Sequence, residues 1–155
     1  EGRPLFVRRP NAALTLENFA RAQLYSTMAA LKSGMDLLFE KEQVKLDRLL
    51  GHGGLFKTPV AGQKLLAGAL GVPVSVMASA GEGGPWGMAL LALYRLRCME
   101  GNAPALEDWL NEAVFAGTEG STVAPDEADA AGFAAFMKDY TACIPVEKAA
   151  GQALR

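Results

Sequence analysis

Apolar side chains recur at three- and four-residue intervals from Leu16 through Phe19, Ala20, Leu24, Thr27, Met28, Leu31 and Met35 to Leu38, drawing one stripe along a long helix. Thr15 stands where such a helix needs a side-chain oxygen for its first N–H groups, and the stripe fades into Glu40, Lys41 and Glu42. Its unbroken length predicts a core helix laid across a sheet. Residues 44–50 read as a short strand that runs into Gly51, His52, Gly53 and Gly54, where glycine stops any regular element. Thr58 and Pro59 form an N-cap and N1 pair, so a helix is predicted from there to about Leu70, ended by Gly71. Residues 72–77 give a second strand, with Pro73 near its start, where a missing N–H is tolerated.

A second glycine-rich turn follows at Gly81, Glu82, Gly83, Gly84 and Pro85 and opens a helix over residues 86–99. That helix is hydrophobic nearly all round and is therefore expected to be buried, with Trp86, Met88 and Met99, like Met77 before it, as core packing. Gly87 and Ala89 are expected to let it approach the sheet closely. Beyond Pro104 the spacing predicts helices near 104–114 and 125–142, a glycine-rich link at 117–121 and a short last helix after Pro145. Asp126, Glu127 and Asp129 read as helix-start and surface charge. The order strand, glycine loop, helix, twice over, is an α/β pattern with both loops at one end of the sheet. We expect residues 1–103 to form the core and residues 104–155 a helical C-terminal extension packed on the same domain.

Composition narrows the class. Half the residues are hydrophobic and 21% are charged, as in a globular chain. No apolar run approaches the ~20 residues that span a bilayer, and no basic-then-apolar leader opens the sequence. An opening Glu1 without Met fits a processed or excised piece. Cys98 and Cys143 are far apart and His52 is the one histidine, which excludes a structural zinc site and suits reduced thiols in the cytoplasm. Residues 1–57 carry nine Lys/Arg against six Asp/Glu, interspersed and only mildly basic, so neither nucleic acid nor membrane is indicated as a partner. Residues 100–139 carry nine Asp/Glu against one Lys, a pattern that solvates outer helix faces.

A strand that ends in glycines and restarts as a helix suits phosphate, because backbone N–H groups and the positive helix end face the anion and no side chain keeps it away. Residues 50–58 and 77–87 both have this form. Neither is a standard fingerprint: Gly62, Gln63, Lys64, Leu65 lacks the P-loop glycine and hydroxyl around its lysine, and Trp86 stands where a dinucleotide loop has glycine. Glu82 could hold a Mg²⁺-bound water, but a carboxylate at a helix start is stabilised by the macrodipole without one. His52 could act in catalysis or touch a phosphate and Lys57 could reach one, but a loop histidine bonded to backbone and a solvated loop lysine are the commoner case, so no catalytic residue and no metal ligand is assigned.

The run Leu50, Gly51, His52, Gly53, Gly54, Leu55, Phe56, Lys57, Thr58, Pro59, with Gln63 on the next turn and Gly71, Val72, Pro73, Val74 after it, resembles a segment of the FGGY carbohydrate kinases. Glu82 followed by Gly87, Met88, Ala89, Leu90, Leu91, Ala92 is similar to the second glycine loop of that family, and Arg21, Ala22, Gln23, Leu24, Tyr25 to the start of its long helix. The likeness covers residues 15–95 in order and spacing. His52 replaces a glycine or aspartate of many members, Leu55, Phe56 and Lys57 are bulkier than their usual counterparts, and Ala30 stands where glutamate is common.

The resemblance implies an actin-like, ribonuclease-H-like half-fold, the C-terminal FGGY domain, that holds ATP while a second half holds the sugar. It also implies ATP and Mg²⁺ as cofactors and transfer of the γ-phosphoryl group to a sugar hydroxyl, with an aspartate of the other half as base. By position, Gly53 and Gly54 would border the α-phosphate and ribose, and Leu55 and Thr58 would lie beside the adenine. Residues 115–117 and 145–148 look most like the pentulose-kinase branch, for xylulose or ribulose. The chain alone is then expected to be inactive, to show exposed apolar surface and to self-associate as a homo-oligomer. A non-catalytic interaction domain that keeps the fold, and an actin-like ATPase, are the alternatives left open.

Overall fold

The computed structural model describes residues 5–78, 83–117 and 120–153. They form an α/β chain of five α-helices and a three-stranded sheet: α1 (Leu16–Glu40), β1 (Leu49–Leu50), α2 (Ala61–Leu70), β2 (Val74–Met77), α3 (Gly83–Met99), α4 (Leu106–Trp109), β3 (Gly120–Val123) and α5 (Glu127–Ala153). A 3₁₀ turn at Gly54–Lys57 precedes α2 and a π-helical turn at Leu110–Val114 follows α4. The chain divides into two compact units. One holds Glu1–Leu46, Leu65–Gly71 and Pro125–Arg155, the other Asp47–Lys64 and Val72–Ala124.

In the first unit α1 begins where its sequence says, with Thr15 in extended conformation accepting a hydrogen bond from the Asn18 N–H at 3.2 Å. The partner of α1 within this unit is α5 rather than a sheet. Tyr25 meets Phe133 and Phe136 edge to face at 5.1 and 5.4 Å, and Phe133 is 2% exposed. Met28 and Ala29 are buried on α1, and Leu66, Ala67, Ala69 and Leu70 on the later turns of α2. Gly68 lets that stretch of α2 come close to α5, since a Cβ there would stand 3.2 Å from Asp129 Cβ. Gly71 ends α2 as expected, its N–H bonded to Ala67 O and its φ at 69°.

Asp126 caps α5 through Oδ1, which accepts from the Ala128 and Asp129 N–H groups at 2.9 and 3.0 Å. The expected break at Pro145 does not occur; α5 runs through it to Ala153. Proline holds a near-helical φ, but it removes a donor and crowds the carbonyl of Thr141, so continuation across it costs about 3 kcal/mol. Arg9 grips the Asp139 carboxylate with two donors, at 3.0 and 2.5 Å. Phe6 packs edge-on to Phe19.

In the second unit the strand order is β1-β2-β3, β1 parallel and β3 antiparallel to β2. The first predicted strand contracts to Leu49–Leu50, although Gly51 N–H extends the ladder to Ser75 O at 2.8 Å. β3 occupies the expected link, paired from Val123 opposite Val74 to Gly120 opposite Met77. Ser75 and Thr122 share a hydroxyl hydrogen bond of 2.7 Å across it.

The helix expected at 104–114 is a single α-turn that passes into a π-turn, Phe115 N–H bonding back to Leu110 O at 2.8 Å. Trp109, 3% exposed, stacks on Tyr94 and lies beneath the Arg97 guanidinium. The Tyr94 hydroxyl donates to Pro104 O at 2.8 Å. Trp86 packs on Phe115.

The expected burial of α3 fails: Met88 and Met99 are each 72% exposed, and Leu91, Leu93 and Leu96 are exposed too. Aromatic contacts from Trp86 and Tyr94 occupy one side of this helix, and Met88, Leu91 and Met99 fall on the other. A Cβ on Gly87 would meet nothing within 4 Å among the described residues, so Gly87 does not serve a close approach there. No described helix is long and apolar enough to cross a membrane.

Candidate functional site

Parallel pairing of β1 with β2 sends both of their C-terminal exits to the same edge of the sheet, the place where open α/β sheets receive ligands. The exit from β1 is the loop 51–60. The exit from β2 carries Glu82, which lies outside the described residues, as do residues 79–81.

Gly53 has φ 101° and ψ −172°, a combination essentially confined to glycine. It sets the direction of the 3₁₀ turn that begins at Gly54 and closes with Phe56 N–H on Gly53 O at 3.1 Å. A Cβ built on either Gly53 or Gly54 would meet nothing within 4 Å among the described residues, so none of these covers the main chain at either glycine. The two bulky side chains that follow turn onto other glycines. A Cβ on Gly51 would stand 2.6 Å from the Phe56 ring, and one on Gly62 would stand 2.7 Å from Leu55 O and 3.1 Å from Leu55 Cγ. Leu55 remains 37% exposed and Thr58 is exposed.

α2 does not start on Thr58 and Pro59. Thr58 is extended, with φ −86° and ψ 110°, and the helix begins at Ala61. Between them Val60 has φ 66°, and Ala61 N–H donates to Pro59 O at 2.7 Å, which closes a three-residue γ-turn. A β-branched residue in this region carries strain of about 1–3 kcal/mol. The Leu55 carbonyl lies close to Gly62 on the far side of this turn, so Thr58 to Val60 span a short chain reversal.

Gln63, 3% exposed, fixes the first turn of α2 to the sheet. Its Nε2 donates to Val74 O at 3.0 Å and Ser121 O at 2.9 Å, and its Oε1 accepts from Ser121 Oγ at 3.2 Å. Both amide hydrogens and the amide oxygen are thus used, which is what burial of a glutamine requires. The sequence pattern contained Gln63 without revealing this task, because its partner strand β3 was read as a link. Another signal was overlooked: residues 48–81 contain Arg48, His52, Lys57 and Lys64 and not one Asp or Glu. Such a stretch presents a field of one sign to an anion.

Residues 1–96 match the family model described as the FGGY family of carbohydrate kinases, C-terminal domain. The chain belongs to this family, and its loop 51–60 and the described part of the β2 exit lie inside the matched region. No curated protein and no solved structure matches it.

Proposed function

We propose that this chain is the nucleotide-binding half of an ATP-dependent sugar kinase, with an actin-like half-fold, acting in the pentulose branch on a substrate such as xylulose or ribulose. The observation that carries this reading is the bare main chain at half-buried Gly53 and exposed Gly54, where a Cβ would meet no described residue within 4 Å, at the exit of a parallel strand pair and in a stretch without carboxylates. Backbone donors and cations so placed attract a polyphosphate. Gly53 and Gly54 would border the α-phosphate and ribose, and Leu55 and Thr58 the adenine. Phe56 and Leu55 fold onto Gly51 and Gly62, away from Gly53 and Gly54.

Bound Mg-ATP supplies the phosphoryl group and the cation that neutralises its charge. In this reading the Mg²⁺ arrives with the triphosphate whose charge it neutralises. The work of this chain is to hold and orient the nucleotide. In this reading the base and the sugar contacts come from the other half of the enzyme, and the chain alone phosphorylates nothing.

An amide NMR titration of the 155-residue chain with Mg-ATP, with Mg²⁺ alone as control, tests this. Shifts concentrated at Gly53, Gly54 and Thr58 are expected. Silence at all three would turn the assignment toward a non-catalytic interaction domain.

A further inference from the structure

Local sequence and structure disagree at one place in the loop, and the disagreement is confined to one residue. Thr58 followed by Pro59 is the signature of a helix start, with a hydroxyl at the N-cap and a ring of near-helical φ at N1. Thr58 already has the extended backbone of an N-cap. Val60, with φ 66°, is what keeps Pro59 and itself out of α2. Resting on the nucleotide-binding reading above, we infer that Val60 is a latch: its φ turns negative when nucleotide seats on Gly53 and Gly54, and α2 grows backward to Pro59 with Thr58 as its cap.

The coupling is mechanical. Gln63 anchors the first turn of α2 to β2 and β3, so α2 is the fixed side of the latch. The moving side is the 3₁₀ turn, whose Leu55 carbonyl abuts Gly62 and whose last residue, Lys57, adjoins Thr58. Extending α2 by Pro59 and Val60 redirects residues 58–60, lifts Leu55 off Gly62 and shifts Gly53 and Gly54 with it. A ligand that favours the lifted position therefore favours the longer helix by the same factor, since linkage is reciprocal. The strained φ at Val60 raises the energy of the empty arrangement and so narrows the gap to the longer helix, as a switch requires.

The test follows the Val60 Cα and Cβ shifts and the Gly62 amide in the 155-residue chain as Mg-ATP is added. The latch predicts a move of Val60 to helical shifts and new exchange protection at Gly62, whose N–H would gain Thr58 O, in step with the shifts at Gly53 and Gly54. It also predicts that Val60→Gly, which favours positive φ and resists helix, binds Mg-ATP about five-fold more weakly. Shifts at Gly53 and Gly54 with Val60 unmoved would overturn the latch and leave nucleotide binding intact. Silence at all four positions would overturn both.

Discussion

Gly51 lies directly beneath the ring of Phe56, so closely that a Cβ on Gly51 would stand 2.6 Å from two of the ring carbons. Gly51 is buried and the ring half-buried, and the pair closes the base of the loop that carries Gly53 and Gly54. Gly51→Ala must push the ring aside and should cost about 1–3 kcal/mol, the usual range for overpacking. In a Phe56→Ala background the same change should cost far less. A double-mutant cycle from urea melts measures the difference, and additivity of the two changes would show that the contact is not what constrains the loop.

Val60 offers the opposite sign. Glycine adopts φ 66° without steric penalty, so Val60→Gly should raise stability by about 1 kcal/mol, the relief of strain exceeding the added chain entropy. Thermal unfolding of the unliganded chain checks this; a lower midpoint would mean that the turn is not strained.

Gln63 carries three hydrogen bonds that leucine cannot make. Gln63→Leu leaves the Val74 and Ser121 carbonyls short of a donor and should cost about 1–3 kcal/mol. Urea unfolding followed by fluorescence is a suitable readout, because buried Trp109 belongs to the same unit.

Gly54 separates folding from binding. Its φ lies outside the left-handed region and a Cβ there meets none of the described residues, so Gly54→Ala should leave stability within about 0.5 kcal/mol. The same methyl group stands where the nucleotide is proposed to approach, and the Mg-ATP response should weaken. Unchanged affinity would remove Gly54 from the nucleotide surface.

The Arg9 guanidinium hydrogen-bonds the Asp139 carboxylate and holds its pKa below the ordinary aspartate value. A depressed carboxylate pKa stabilises the fold above the unfolded value of about 4, and that gain is lost as pH falls through the folded one. Both side chains are largely exposed, so the effect is small and salt-sensitive. Arg9→Ala should return the Asp139 titration, followed by carboxyl ¹³C NMR, to the ordinary range. An unchanged titration would show that the pair does not persist in solution.

What the sequence disclosed and what it concealed divide along the range of the forces involved. The Thr15 cap, the Gly71 stop and the glycine loop after β1 are decided by the residues at those places and were readable there. β3 was not, because residues 120–123 become a strand only by pairing with β2 and receiving Gln63. Val60 was misread because every local signal favours helix, whereas the chain reverses there with Leu55 close to Gly62. The apolar circumference of α3 describes what its faces could bury, whereas Met88 and Met99 lie exposed.

The sheet contains no tight hairpin: α2 intervenes between β1 and β2, and α3 and α4 intervene between β2 and β3. Each ladder must therefore wait for a long loop to close, a slow event compared with the sub-microsecond formation of helices such as α1 and α5. Refolding should accordingly run from helices to sheet. The turn at Gly53, suspended from β1, is then among the last parts of the molecule to take shape.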